Sequence, residues 1–441
     1  MELSRPPRPA EDIIAPLEKP ASTITTAVSR SSGKRTAFWV AIAALLAAAV
    51  KGAIAWNTIG TNDVVTFYQF GRSLQDHGLE WTYLHDISFN HPPLTAYFLI
   101  GIYNLAHLPF LQENTISFPF LLRLPGIVAD LITVWAVFQI GQSVESKVPT
   151  WALLLFALSP ASLMITGFHG NTDPIMVMFL TIATLAAIRD KPILCGLFFA
   201  LSCQIKIIPL LFLPIFFFYW RERRLAFKFI VPTALTFLVL WAQPLFSFPI
   251  AFAKNVLSYG SFWGLWGVTY WLRQTGWSEF GRVTYLHFTP AQALVATILK
   301  LSIIAIVLSI AWRRRYLGRQ SLLRSIAYAW IVFFILAPGV CAQYLVWLAP
   351  FVLLLSPSFF GWFTATGSLF LFFFYNTIAD KFPWYLAISN GAHNREWTPW
   401  TAWPWAVLIA GVLVFWIKAK HQNASLRLFS LEPLDPESPS S

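Results

Sequence analysis

Long uninterrupted runs of apolar residues constrain this chain more than any other feature of its sequence. They include residues 38–56, 151–166, 225–241 and 291–312, and only 12% of the 441 residues are charged. A soluble protein carries roughly 25% charged residues. Because about 20 apolar helical residues cross the hydrocarbon core of a bilayer, the runs predict an all-α polytopic membrane protein. They exclude a soluble globular enzyme, a coiled coil and a disulfide-stapled secreted domain.

We predict twelve transmembrane helices in this chain. Their ranges are 38–56, 119–140, 150–166, 172–188, 193–206, 207–220, 225–243, 291–311, 324–338, 341–356, 358–378 and 402–418. The segments on either side are polar and rich in proline and serine, which is typical of chains that do not form a packed core. We therefore predict a disordered cytoplasmic tail over 1–37, one membrane-embedded domain over 38–418 and a second cytoplasmic tail over 419–441.

The positions of Lys and Arg determine the predicted orientation. With the N-terminus inside, the segments predicted as cytoplasmic hold 21 of the 31 basic residues, whereas the outer loops 57–118, 244–290 and 379–401 hold six. An excess of basic residues marks the cytoplasmic side of membrane proteins. The net charge of +11 therefore reflects topology, and we expect no nucleic-acid partner.

A further apolar segment, residues 94–110, is not counted among the spans. If it crossed the membrane together with 119–140, every later basic loop would lie outside. It is also short and carries Tyr97 and His107. We therefore predict an interfacial or re-entrant helix at the outer surface. It belongs to the outer loop 57–118, which is unusually long for a channel or a transporter.

Asp63 is the first candidate for chemistry in this loop. It begins a predicted amphipathic helix in which Val64, Phe67, Gly71 and Leu74 share one face. In one interpretation Asp63 only caps the helix. In the other it is a general base, kept ionised by the positive end of the helix and shielded from water by the membrane surface.

Two other outer motifs contain ionisable residues beside prolines. His91 precedes Pro92-Pro93, and His169 and Asp173 lie in one short loop between two spans. Each motif has a structural alternative, since prolines and Asp also define turns and helix starts. A metal site is possible for His169 and Asp173, but so few ligands without regular spacing are a weak signal.

Several charged residues fall inside the predicted spans. Arg123 and Asp130 are seven residues apart on one helix face, and we expect them to pair or to contact other buried groups. Lys206 lies in a kink region before Pro209, where it snorkels to water or contacts an anionic headgroup. For Lys51, late in the first span, we favour snorkelling.

Aromatic residues and arginines alternate in the outer loop 244–290. Trp and Tyr at this level are typical of a membrane-interface belt, but with Arg273 and Arg282 among them they can also bind sugar faces and phosphate. Gln343 and Tyr344 lie where another predicted span begins at the outer face.

These motifs, in this order, resemble those of the GT-C superfamily of integral-membrane glycosyltransferases, which use polyprenyl-phosphate sugars. Asp63 matches the acidic residue of the first outer loop in that superfamily. The segment 90–97 is similar to the Tyr-Pro-Pro-Leu-Thr-Ala-Tyr segment of dolichyl-phosphate-glucose-dependent glucosyltransferases, although Asn90-His91 stands where relatives often have an acidic residue plus Tyr or Lys. The remaining landmarks are 123–130, 204–210, 266–267 and 343–347.

The resemblance implies a membrane-bound hexosyltransferase, such as a mannosyltransferase, that inverts the anomeric configuration. Asp63 would be the general base for a lipid, glycan or protein acceptor. The residues implied to bind substrate are His91, His169, Asp173, Lys206, Arg273, Arg282, Gln343 and Tyr344. No cofactor and no metal are expected, because Lys and Arg can neutralise a single phosphate.

Two other classes of function remain open from the sequence. A secondary transporter or lipid flippase with twelve spans is disfavoured, because there is no internal repeat and the polar groups collect at one face instead of the midplane. A non-catalytic membrane scaffold would not need so many ionisable residues in one layer. The short loops and the absence of luminal disulfides favour a bacterial inner membrane, with the site on the periplasmic or extracellular side.

Cysteine labelling tests the predicted topology. In a background without the three native cysteines, Ser117→Cys is expected to react with an impermeant thiol reagent added from outside. Ser146→Cys is expected to react only after the membrane is opened. Labelling of Ser117→Cys from the cytoplasmic side alone would contradict the predicted path of 94–110.

Overall fold

Helices dominate the computed structural model, which describes residues 22–144, 148–257, 262–285, 287–316, 318–379 and 401–429. The predicted all-α polytopic class is therefore confirmed. The first half contains α1 (Ser22–Asn57), α2 (Asn62–His85), α3 (Pro93–Ala106), α4 (Pro109–Glu113), α5 (Phe118–Ser143), α6 (Thr150–Ala157), α7 (Pro160–Ser162), a π-helix (Leu163–His169), α8 (Asp173–Ile188), α9 (Pro192–Ile205), a 3-10 helix (Ile208–Phe212) and α10 (Leu213–Arg221).

The second half is also helical, apart from one short pair of strands. It contains α11 (Ala226–Ser247), α12 (Pro249–Phe252), a π-helix (Ala253–Leu257), β1 (Phe262–Trp263), α13 (Gly267–Gln274), β2 (Thr284–Tyr285), α14 (Pro290–Arg313), α15 (Arg319–Leu336), a 3-10 helix (Ala342–Tyr344), α16 (Leu345–Leu355), α17 (Pro357–Ile378) and α18 (Ala402–Phe429). Strands β1 and β2 pair antiparallel. This ladder lies within the loop 244–290, for which no strand was predicted.

Seven helices in the described part of the chain are long and apolar enough to cross a membrane. They are Gly33–Asn57, Phe118–Ser143, Thr150–His169, Ala226–Ser247, Pro290–Arg313, Arg319–Leu336 and Pro357–Ile378. The other five predicted spans coincide with apolar helices of 10–17 residues. The total of twelve crossings therefore stays a prediction.

Two of the short apolar helices, α8 and α16, lie in the interior of the bundle. Helix α8 packs against α5 and α9, and α16 packs against α15 and α17. Side chains on nearly every side of α16 are buried, from Leu345 to Leu354. A helix that is apolar all round is typical of such an interior position.

Helix α9 ends at a break in the chain, and Lys206 is the first residue after the helix. Pro209 has no N–H to donate to the carbonyl of Ile205, four residues earlier, so α9 cannot continue. The Thr95 hydroxyl of α3 donates to that carbonyl instead, at 3.0 Å. Lys206 takes an extended conformation, with φ −143° and ψ 143°. The Pro-Pro-Leu-Thr motif at the start of α3 thus stabilises the bend at which Lys206 stands.

Lys51 does not snorkel, so that expectation was wrong. Its ammonium is buried, 2.5 Å from an Asp130 carboxylate oxygen and 2.8 Å from the Ser162 hydroxyl. Ser162 also donates to Asp130, at 2.9 Å. Asp130 therefore pairs with Lys51 on α1 and not with Arg123 on its own helix. A charged pair is the form in which an ionisable group is tolerated inside a membrane.

Several predicted boundaries differ from the structure. Helix α1 begins at Ser22, within the segment predicted as a tail, and α18 extends to Phe429. The apolar segment 94–110 forms two helices, because α3 ends before His107 and Pro109 starts α4. The outer loop 379–401 lies almost entirely outside the described residues, as do most of the N-terminal segment and the end of the C-terminal one.

Helix α2 has the amphipathic pattern that the sequence predicted. Val64, Phe67, Gly71 and Leu74 are buried. Val64, Phe67 and Leu74 belong to an apolar cluster that joins α2 to α3 and to the start of α5. Burial of one full face fixes the helix against the rest of the protein. Asp63, at its first turn, is consequently held in one place.

Candidate active site

A buried arginine joins the two segments that carry the candidate acid and histidine. The Arg123 guanidinium of α5 donates to the carbonyls of Ala55, Thr58 and Ile59 at the end of α1. It also donates to the carbonyls of Gly167 and Phe168 in the π-helix. Carbonyls at the end of a helix lie beyond the reach of its regular hydrogen-bond pattern, and a guanidinium offers five N–H donors in one plane. Arg123 therefore fixes the chain just before Asp63 and just before His169.

Two glycines allow these segments to meet. Gly60 and Gly170 have φ values of +99° and +76°, a region that residues with a side chain rarely adopt. A Cβ on Gly170 would lie 2.3 Å from a methyl carbon of Val64. Thr61 completes the contact, because its amide and its hydroxyl both donate to the His169 carbonyl, at 3.2 and 2.8 Å.

Asp63 lies at the centre of the site, and its two oxygens have different surroundings. Oδ2 accepts hydrogen bonds from His169 Nε2 at 3.1 Å, Asn171 Nδ2 at 2.7 Å and Gln343 Nε2 at 3.2 Å. No residue in the described ranges donates to Oδ1. Thr61 occupies the N-cap position of α2, so the Asp63 carboxylate does not cap that helix.

The surroundings of Asp63 favour its ionised form. Burial raises the pKa of this carboxyl, but the interaction with His169, the nearby charge of Lys206 and the hydrogen bond from Asn171 outweigh that effect. The pKa of Asp63 therefore lies below its ordinary value of 3.8. An ionised carboxylate, with an oxygen to which no described residue donates, can accept the proton of a bound hydroxyl.

Asp173 and Lys206 form a second charged pair. Asp173 starts α8 and is fully buried, where the positive end of the helix favours a carboxylate. Its Oδ1 accepts from Lys206 Nζ at 2.9 Å and from Trp347 Nε1 at 2.7 Å. Asp173 thus fixes the position of Lys206 at the end of α9.

Aromatic rings surround the Lys206 ammonium. Tyr344 and Trp347 stack with their centroids 3.8 Å apart. The Lys206 nitrogen lies 5.0 Å from the Tyr344 ring and 5.5 Å from the Trp347 ring. A cation over aromatic faces is attracted by the electron density of the rings. The lysine is therefore oriented by three groups.

Two neighbouring cavities open at this cluster, and Asn90, His91, Lys206 and Tyr344 line both. The first has a volume of about 390 Å³ and contains many polar side chains, including Asp63, Asn171 and Gln343. The second, of about 240 Å³, is mostly apolar. Its apolar lining includes Ile207, Ile208, Leu211, Ile303, Ile304 and Phe333. A compound with a polar head and an apolar chain matches this pair of cavities.

The fold gathers most of the predicted site residues. Asp63, His91, Lys206, Gln343 and Tyr344 line the polar cavity, and His169 and Asp173 lie directly behind it. Arg273 and Arg282 do not line either cavity. The Arg273 guanidinium lies over the Tyr270 ring, at 5.5 Å, and Arg282 is exposed.

Some residues at the site were not among the predicted ones. Asn171, Trp347 and Tyr375 all contact predicted site residues. Asn171 and Trp347 lie inside motifs that the sequence singled out, so proximity to Asp173 and Gln343 was an available signal. Tyr375 lies within an apolar helix, and nothing in its sequence neighbourhood distinguishes it.

A comparison with protein families connects this geometry to a known activity. Residues 101–222 match the model of the MptA_B family, described as alpha-(1->6)-mannopyranosyltransferase, N-terminal domain. This is a GT-C-type mannosyltransferase family, so the resemblance seen in the sequence is confirmed. The match supports a membrane glycosyltransferase. No curated protein gave a significant match to the chain.

The matched segment holds part of the site. It includes Arg123, His169, Asp173 and Lys206, whereas Asp63 precedes it. In the described residues, no group of three or more His, Cys, Asp or Glu side chains is arranged to hold a metal ion.

His91 should make the stability of the protein depend on pH. Burial, together with the charge of Lys206, lowers the pKa of His91 from 6.5 to about 3. The unfolded chain thus takes up this proton near pH 6.5, but the folded protein does not. The free energy of unfolding should therefore fall by about 1.4 kcal/mol per pH unit as the pH drops from 6.5 toward about 3.

The variant His91→Gln, which cannot be protonated, isolates this contribution. Thermal unfolding of the purified protein in detergent should show a smaller loss of stability between pH 6.5 and pH 4.5 for the variant than for the wild type. Equal losses in the two proteins would contradict the lowered pKa.

Proposed function

We propose that the protein transfers a mannosyl or related hexosyl group from a polyprenyl-phosphate donor to a hydroxyl of a lipid, glycan or protein acceptor. The reaction occurs at the outer face of the membrane, which in a bacterium is the periplasmic or extracellular side of the inner membrane. The single observation that carries the proposal is an ionised carboxylate, with one open oxygen, beside a lysine at the junction of a polar and an apolar cavity.

The apolar cavity supports a lipid-linked donor. A polyprenyl chain has no polar group to satisfy, so it can lie along the isoleucine, leucine and phenylalanine side chains of this cavity. Its phosphate would then reach the end where Lys206 stands. Lys300 of α14 also lines the cavity, which adds a second cationic side chain along the path of the donor.

In the proposed chemistry, Asp63 Oδ1 takes the proton of the acceptor hydroxyl. The acceptor oxygen attacks the anomeric carbon, and the bond between that carbon and the phosphate oxygen breaks. The electron pair leaves with the polyprenyl phosphate. A single displacement of this kind inverts the anomeric configuration.

Lys206 would stabilise the charge that develops on the leaving phosphate. Its ammonium is partly desolvated, with 12% of the side chain exposed, and charges interact strongly where water is excluded. Asp173 and the two aromatic rings hold it in place before the donor arrives. The protein therefore needs no rearrangement of this side chain during the reaction.

Asp63→Asn tests the general base. The asparagine keeps the size of the side chain and an oxygen for the three donors at Oδ2, but it cannot accept the proton. Transfer from a synthetic polyprenyl-phosphate mannose by purified protein in nanodiscs should fall by about 10²–10⁴. Asp63→Glu should also lose about 10², because the carboxylate is displaced by roughly 1 Å.

The control for this test is the fold of the variant. Since Thr61 and not Asp63 caps α2, we expect an unchanged elution profile and unfolding temperature for Asp63→Asn. Full transfer activity in well-folded Asp63→Asn would eliminate Asp63 as the base and direct the search to Asp173.

Three matched substitutions test the phosphate contact. Lys206→Gln should reduce transfer by about 10²–10³, because a fixed charge next to the leaving group is lost. Arg273→Gln and Arg282→Gln remove the same charge from side chains that do not line the cavities, and both should retain near-normal rates. An equal loss in Arg273→Gln would instead assign the phosphate to the loop 244–290.

A further inference from the structure

His169 lies between two polar partners on different parts of the chain. Its Nε2 is 3.1 Å from Asp63 Oδ2, and its Nδ1 is 2.9 Å from the Tyr375 hydroxyl. Both His169 and Tyr375 are buried, with exposed fractions of 4% and 0%. His169 does not line the polar cavity, so its ring is positioned behind the carboxylate and not against a substrate.

The chemistry of these groups fixes where the hydrogens lie. An ionised carboxylate only accepts hydrogen bonds, so the bond to Asp63 requires a hydrogen on His169 Nε2. In the neutral imidazole the other nitrogen, Nδ1, is then an acceptor. The Tyr375 hydroxyl donates to it. In this row of three residues, Tyr375 therefore donates to His169 and His169 donates to Asp63.

The Tyr375 ring is held in place by packing. It contacts the Phe168 ring edge to face, with centroids 5.2 Å apart, and α17 packs against α7 and α16. A buried ring with two χ angles has few alternative positions in a close-packed interior. The tyrosine can therefore fix the orientation of the histidine.

We propose that Tyr375 is a positioning residue for the catalytic base. It keeps His169 in the Nε2–H tautomer, so that His169 donates to Asp63 Oδ2 and leaves Oδ1 directed at the acceptor hydroxyl. The proposal rests on the proposed function, in which Asp63 is the base. It assigns a role in the reaction to α17, a helix of which no residue lines the polar cavity.

Tyr375→Phe removes only the hydroxyl. We expect kcat for sugar transfer to fall about tenfold, which corresponds to the loss of one buried hydrogen bond. The KM for the donor should stay within about twofold, because the lost contact does not touch the substrate. Tyr219→Phe is the matched control: Tyr219 is also buried and donates to the Ala187 carbonyl, but it does not line either cavity.

A double-mutant cycle separates positioning from general support of the fold. If Tyr375 acts through His169, then Tyr375→Phe should cause no further loss in a His169→Gln background. A loss that persists in that background would overturn the proposal, because Tyr375 would then act independently of the histidine. Unchanged kcat in Tyr375→Phe would overturn it as well.

A spectroscopic measurement keeps the two proposals apart. In protein labelled with ¹⁵N-histidine, the His169 signals are identified by their loss in His169→Gln. They should report the Nε2–H tautomer in the wild type and a changed Nδ1 environment in Tyr375→Phe, whereas Tyr219→Phe leaves them unchanged. Wild-type protein that transfers no sugar would overturn the proposed function, and the same spectra would still decide whether Tyr375 controls the histidine.

Discussion

The buried guanidinium of Arg123 is the interaction on which the rest of the site depends. It satisfies carbonyl oxygens at the ends of two helices, in a region where water cannot do so, and unsatisfied carbonyls are costly in an apolar medium. One of these helices leads into Asp63 and the other ends at His169. A lysine could not satisfy all five carbonyls, because an ammonium has three donors whereas a guanidinium has five. The geometry of the candidate site is thus a consequence of hydrogen-bond satisfaction among buried groups.

Much of the fold was predictable because the membrane imposes a simple rule on the sequence. Each of the twelve predicted spans coincides with an apolar helix, and prolines at positions such as 93, 192 and 209 mark where helices start or stop. The sequence was less informative about contacts between helices. Lys51 looked like a snorkelling residue because its partner Asp130 is remote in sequence. Helix ends in polar segments, such as Ser22, also escaped prediction, since no change of hydropathy marks them.

The candidate site shows the same division between local and long-range information. Ionisable residues in the outer motifs pointed to Asp63, His169 and Asp173, and the kink before Pro209 pointed to Lys206. The fold brings these four together. Tyr375 was not predictable, because a tyrosine in an apolar helix has no local signature and its role depends on a contact across 206 positions. Arg273 and Arg282 matched the expected chemistry by composition alone, and composition does not determine which side of a loop faces a cavity.

The pair between Lys51 and Asp130 has a consequence for the biogenesis of the protein. The two residues are 79 positions apart, so the lysine is synthesised well before its partner. At roughly 5–20 residues per second, α1 waits about 4–16 s for the carboxylate. During that interval the apolar residues of α1 alone must offset the cost of a lysine in the bilayer, which is about 2.5–3.5 kcal/mol. The first helix therefore carries an unpaired lysine until α5 arrives beside it.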